Sequence, residues 1–225
     1  MRDPDMIYTI NDNIFNVIKR VILQEEITLK TLCDKGIFFV PEIALAYAIG
    51  KEIYINRELI FGNNDVEWLR EVTFDKAGGP SDLVFKLPTF DDKNLFWNIE
   101  FKIAGTKESY LNDINKLRRL PNDHEALFCA ITDSWMNKPD ERSSIFQDES
   151  QIAINYANTI SFETKTKYSN QIEARVHFGL VKGFEINSDH ILPTINPNAS
   201  EEDKYLDANH REALDEHLEN NNTPN

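Results

Sequence analysis

Apolar positions along the first part of the chain recur at helical spacing. Ile14, Phe15, Val17, Ile18, Val21, Ile22 and Leu32 make one broad stripe between residues 11 and 35, which predicts a helix, with an interruption near Glu26-Ile27-Thr28 left open. Pro41 suits a helical first turn. A second helix is expected through Glu42-Ile43-Ala44-Leu45-Ala46-Tyr47-Ala48-Ile49, with Gly50 as a candidate stop. Residues 51–62 fit either continued helix or short strands. The period then changes. Residues 66–74 alternate imperfectly, Gly78-Gly79-Pro80 marks a turn, and residues 82–87 and 95–104 read as strands joined by a loop over 88–94. Thr106 suits the N-cap of a helix over 107–119, with Tyr110, Leu111, Ile114 and Leu117 on one face. Pro121-Asn122-Asp123 ends it. Residues 126–131 are apolar throughout, as a central strand covered on both faces would be. Beyond them, 134–141 reads as a loop, 144–160 as a helix, and 172–186 as a strand around His177. Residues 187–200 read as a Pro-containing linker, 201–218 as an exposed helix, and 219–225 as a frayed end.

Composition bounds the class. The 225 residues, 41% apolar and 28% charged, suit one soluble domain with a substantial core. We place it at 1–197, with an acidic helix or tail over 198–225. Cys33 and Cys129 have no metal-type spacing, and Cys129 lies in an apolar run, so a buried reduced thiol is expected. The start Met1-Arg2-Asp3-Pro4-Asp5 lacks the basic-then-apolar pattern of a secretory leader, and no apolar run reaches membrane-spanning length. The expectation is a cytoplasmic protein with no membrane partner. The net charge of −14 weighs against a nucleic-acid binder, which gains affinity from Lys and Arg. The charge is uneven, however. Residues 201–219 hold eight acids against Lys204 and Arg211, a net −6.

The chemistry concentrates in Pro80-Ser81-Asp82 and Glu100-Phe101-Lys102. Residues two apart on a strand share a face. Glu100 and Lys102 therefore point together, away from Ile99, Phe101 and Ile103. Asp82, opening the preceding strand, can approach Glu100. A magnesium ion takes few carboxylates and several waters, and Asp82 and Glu100 can both reach one ion, with the Phe101 carbonyl as a third ligand. Lys102 beside them can orient water and stabilise developing negative charge. It can also act as a base if its pKa is lowered, and the sequence leaves both roles open. Each group has a plainer explanation: Asp82 caps a turn, and Glu100 and Lys102 form an ion pair on a solvated strand face.

These residues, with the order helix, three strands, helix, strand around them, resemble the PD-(D/E)xK nucleases. The resemblance spans roughly residues 41–133. It implies an α/β, restriction-endonuclease-like fold: a central mixed sheet with an α-β-β-β-α-β core flanked by helices. It also implies a magnesium- or manganese-dependent nuclease, acting on DNA, with a restriction or defence role by analogy. Asp82, Glu100 and the Phe101 carbonyl would hold the metal, and Lys102 would assist catalysis. The family often adds an acid on the first core helix. Glu42 is the candidate and Glu52 the runner-up, with attraction to the helix dipole explaining Glu42 equally well. Many members are dimers, so a homodimer is an open expectation. Lys107, Lys116, Arg118 and Arg119 are candidates for phosphate contact, against a solvated helix face with Asp113 paired to Lys116. Trp68, Trp97 and Trp135 are assigned to core or interface rather than base stacking. The histidines form no zinc-type cluster, and no Gly-rich phosphate loop or nucleophile elbow is present. The rival reading is a catalytically inactive module of the same fold that binds a basic protein partner.

Overall fold

The long N-terminal stripe forms helix α1 (Pro4–Cys33). The computed structural model describes residues 4–73, 80–88, 94–121, 123–134, 141–146, 154–166 and 171–181. Ile10, Ile14, Ile18 and Ile22 are buried along one face of α1. The helix is not interrupted at Glu26. That side chain is itself buried and bonded, its Oε2 accepting from Ile37 N and Thr164 Oγ1, both at 2.7 Å. Helix α2 (Glu42–Ile55) has Pro41 as its N-cap, one position earlier than the first turn. It runs straight through Gly50. A Cβ there would lie 2.5 Å from Trp68 Cζ2 and 2.8 Å from Leu83 Cδ2, so this glycine serves close packing against the sheet and does not stop the helix. Helix α3 (Arg57–Phe61) follows, and Gly62 ends it in the left-handed region, at φ 67°. Residues 51–62 are thus mostly helical.

The strands are β1 (Glu67–Thr73), β2 (Pro80–Pro88), β3 (Asn94–Ile103), β4 (His124–Ser134), β5 (Ile154–Lys165) and β6 (Gln171–Val181), with helix α4 (Lys107–Leu117) between β3 and β4. They form one mixed sheet in the order β1-β2-β3-β4-β6-β5. The β3–β4 pair is parallel, and α4 lies in its crossover; the other pairs are antiparallel. The architecture is α/β, with helix, three strands, helix and strand in the expected order. Short 3₁₀ turns occupy Ile37–Phe39 and Ser143–Phe146.

In the described parts of the expected helix over 144–160, which are 144–146 and 154–160, no α-helix forms. Ile145 and Phe146 sit buried in the 3₁₀ turn, and the chain continues as β5. Thr159-Ile160-Ser161-Phe162 alternates, with Ile160 and Phe162 packed against the core. Pairing with β6 therefore overrides a helix-like spacing of apolar residues.

Alternation gives the sheet two unequal cores. Leu83, Phe85, Trp97, Ile99, Phe101, Leu127, Cys129 and Phe178 face α1 and α2 in the larger. Tyr110, Ile114 and Leu117 of α4 pack on Ala126, Phe128 and Ala130 in the smaller. Each fully buried aliphatic or aromatic side chain contributes about 1.5–3 kcal/mol. Cys129 is buried as expected, which pushes its thiol pKa up.

At the end of β3 the chain turns sharply. Ala104 is left-handed, at φ 52°, and its N–H donates to Ile131 O at 2.9 Å. That conformation costs a non-glycine residue about 1–2 kcal/mol. Thr106 then caps α4 as expected, its Oγ1 accepting from Ser109 N at 3.1 Å.

The chain divides at Phe184, and all described residues belong to the first unit. The acidic tail over 198–225, the linker, Gly78-Gly79 and Trp135 lie outside the described residues. No helix among the described residues is long and apolar enough to cross a membrane.

Candidate active site

Strands β2 and β3 are paired from Pro88↔Asn94 to Leu83↔Ile99, and there they part. Beyond that point β2 stays with β1, through Val72↔Ser81 and Thr73↔Pro80. Leu83 and Ile99 face the larger core, so by alternation Asp82, Glu100 and Lys102 share the opposite face, the one covered by α4. The parting frees backbone donors on β3, and carboxylates take them. Phe101 N donates to Asp82 Oδ2 at 2.7 Å, and Ile103 N donates to Glu42 Oε2 at 2.8 Å. Asp82 thus reaches across to β3; the turn that the plainer reading has it cap lies outside the described residues. Asp82 and Glu42 replace the missing strand along this edge of β3. In an extended chain a residue's N–H and C=O leave on the same edge, so the Phe101 carbonyl faces the same gap as Asp82.

Helix α4 closes the site with two further side chains. Lys102 Nζ lies 3.1 Å from Asp113 Oδ2 and 3.5 Å from Glu42 Oε1. Lys116 Nζ lies 2.7 Å from Glu100 Oε1 and donates to Pro80 O at 2.7 Å. The expected helix-surface pair of Asp113 with Lys116 gives way to contacts from each toward β3. Gly105 makes room for this: a Cβ would meet Lys102 Cγ and Tyr110 Cε1 at 2.8 Å. The sequence offers Lys116, with Lys107, Arg118 and Arg119, as a candidate for phosphate contact or as part of a solvated helix face. The structure turns Lys116 inward, with its side chain 16% exposed. Lys107 and Arg118 are half-buried and Arg119 is exposed. Glu52, the runner-up acid, pairs with Arg20 at 3.2 Å.

The electrostatics follow from this crowding. Burial pushes the Glu100 carboxyl up to about 7, and the Asp82 charge adds to it against the pull of Lys116. Burial likewise raises Asp82, against its bond from Phe101 N and with Glu42 adding to the rise. For Lys102, burial works against the charge. The hydrogen bond and charge of Asp113, with Glu42 and Asp82 behind them, outweigh it and hold the pKa above the ordinary value. In this arrangement Lys102 is a firm cation, and the base role is disfavoured.

Glu42, Asp82, Glu100 and Asp113 face Lys102 and Lys116, an excess of two acids over two bases. The donors Asp82 and Glu100, with the Phe101 carbonyl, are hard oxygens of the kind a magnesium or manganese ion takes. Glu100 Oε1 is buried, with the Lys116 ammonium 2.7 Å away. These residues fit a divalent ion by charge and donor type. Among the described residues, no group of three or more His, Cys, Asp and Glu side chains already stands in metal-holding geometry. Oxygens of Asp82 and Glu42 are spent on β3 N–H groups, and Lys116 stands at Glu100.

Elsewhere the plainer sequence readings hold. Trp97 is buried, its Nε1 donating to Asn11 Oδ1 at 3.1 Å. Trp68 lies among Tyr47, Tyr54 and Phe85. His177 has local partners, Ser143 Oγ at 3.0 Å and Thr159 Oγ1 at 3.2 Å, and stacks on Phe146. The inward roles of Asp113 and Lys116 escape the sequence reading. Their one signal is position, since each immediately precedes or lies beside the buried Ile114 and Leu117. Comparison with known proteins brings no match: no family model, no curated protein and no solved structure matches the chain.

Proposed function

We propose that the chain is a magnesium- or manganese-dependent nuclease of the PD-(D/E)xK type, with a restriction-endonuclease-like fold, cutting DNA. The observation that carries this is the parting of β2 from β3. It leaves Asp82 and Glu100 on one face at the mouth of the gap, with Lys102 beside them. Asp82, Glu100 and the Phe101 carbonyl would hold the ion. When bound, it supplies a more acidic water and charge neutralisation for the phosphate. The residues do the rest. Asp113 and Glu42 fix the Lys102 ammonium between them, so it can donate to the attacking water or to a phosphate oxygen as negative charge grows there. Glu42 also ties the end of β3 to α2 through Ile103 N. Water oxygen bonds to phosphorus and gives its proton to solvent, the bond to the departing sugar oxygen breaks, and that oxygen leaves with a proton taken from solvent.

The test is cleavage by purified protein at low salt, with single-stranded DNA, duplex DNA and RNA, in magnesium or manganese against a chelator. Cutting is expected with metal only. Lys102→Ala is expected to abolish cutting while leaving metal affinity by calorimetry largely intact. Cutting that survives in the Asp82→Ala, Glu100→Ala double variant would sink the proposal. The net charge of −14 favours one rival, an inactive module for a basic protein partner. That rival predicts no metal binding at all. Homodimerisation belongs to the proposal through the resemblance, and sedimentation checks it.

A further inference from the structure

A lysine reaching into a carboxylate site from the covering helix needs its own account. This inference rests on the nuclease reading, because it concerns the same metal site. Glu100 is 3% exposed. A carboxylate that deep in the protein needs a counter-charge or a proton. The positive charge nearest Glu100 comes from Lys116, with Nζ 2.7 Å from Glu100 Oε1 and 2.7 Å from the carbonyl of Pro80. Those two oxygens come from the two strands that part at the site. The ammonium thus bridges the mouth of the gap, where a divalent ion held by Glu100 would place its charge. Its contact with Glu100, at 2.7 Å, is that of one positive charge, which the two charges of a divalent ion outweigh. Lysine is a single charge on a flexible four-carbon stem, so it can withdraw without moving α4. Asp113, one turn earlier, is engaged with Lys102 and offers Lys116 no competing hold.

We propose that Lys116 is the resident counter-cation of the metal-free site, displaced from Glu100 when a divalent ion binds and then free to meet a phosphate oxygen. Two like charges within a few ångströms repel strongly at this burial. Ion entry and Lys116 release are therefore one linked step, and the lysine lowers metal affinity while keeping the empty site folded.

Calorimetry with manganese chloride alone, without nucleic acid, tests this on the full chain. Wild type, Lys116→Met and Glu100→Gln would be compared, with near-ultraviolet circular dichroism as the fold control. Lys116→Met is expected to bind manganese at least about tenfold more tightly than wild type, the equivalent of losing one charge contact. Glu100→Gln is expected to bind more weakly. Equal or weaker binding by a folded Lys116→Met would overturn the inference, while wild-type binding would leave the nuclease reading standing. No binding by any of the three would overturn both. A second measurement uses wild type alone. With lysines labelled by ¹³C reductive methylation, the Lys116 resonance, assigned by its loss in Lys116→Arg, should move as magnesium is added. Ion binding with that resonance unmoved would overturn the inference regardless of how Lys116→Met folds.

Discussion

Glu26 and Glu100 are both buried glutamates with a lysine at hand, yet they sit in opposite kinds of surroundings. Each meets its lysine through Oε1, Lys30 at 3.0 Å and Lys116 at 2.7 Å. The second oxygen of Glu26 takes a backbone N–H from Ile37 and a hydroxyl from Thr164. It clasps α1 to the 3₁₀ turn and β5 with neutral donors. Glu100 is instead crowded by Asp82 and Asp113, both of which push its pKa up. A carboxylate with one oxygen held by two neutral donors and the other, buried, beside a single lysine, as in Glu26, is a structural contact. One surrounded by like charge is short of a cation, and that shortage distinguishes a candidate active site from a structural polar contact.

The sharpest way to break this comparison is to remove each side chain and ask what is lost. Asp82→Ala and Glu100→Ala are each expected to slow DNA cleavage at least about a thousandfold, ~4 kcal/mol in the barrier. Glu26→Ala should leave the rate per folded molecule nearly unchanged. Comparable losses in single-turnover assays of all three would erase the distinction. In urea unfolding the roles reverse. Glu26→Ala should cost about 3–5 kcal/mol, because two buried donors lose a charged acceptor, whereas Glu100→Ala at neutral pH should cost little or even stabilise.

A third expectation concerns pH in the absence of metal. The Glu100 pKa rises from 4.5 to about 7 on folding, so the folded state holds a proton that the unfolded chain gives up. Stability should therefore fall as pH rises from about 4.5 to about 7, by at most ~3 kcal/mol. Asp82 shifts in the same direction. Glu100→Gln should flatten that slope in unfolding experiments, and an unchanged slope would show that the proton sits elsewhere. The smallest effect should come from Gly105→Ala. Its added methyl presses on the Lys102 stem and should cut cleavage about tenfold, ~1.4 kcal/mol, with the fold retained.

Much of the frame was legible because it depends on local periodicity. The Thr106 cap, the apolar run of β4 and the alternation that puts Glu100 and Lys102 on one face all follow from neighbours in sequence. What was not legible depends on packing between distant segments. Gly50 reads as a stop until Trp68 and Leu83 are seen against it. Residues 154–160 read as helix until β6 pairs with them. Lys116 and Asp113 read as a surface pair because nothing local says that α4 crosses over Glu100 and Lys102. The fold family and chemistry proposed above rest on the PD-(D/E)xK resemblance taken together with this geometry.

The left-handed turn at Ala104 carries a kinetic consequence. It folds α4 directly back over β3, so Glu100 and Lys116 meet across only sixteen residues of chain. Glu42 reaches Ile103 across 61 residues, and Asp82 reaches Phe101 across 19. Loop closure costs about 0.6 kcal/mol for each doubling of length, so the Glu42 contact carries roughly 1 kcal/mol more of chain entropy than the Lys116 contact. The strand–turn–helix piece can assemble as a local unit, with its lysines and Asp113 already around Glu100. On chain entropy alone, the acid of α2 is expected to join after this piece has formed, and later protection of the Ile103 amide in pulsed hydrogen exchange would check that order.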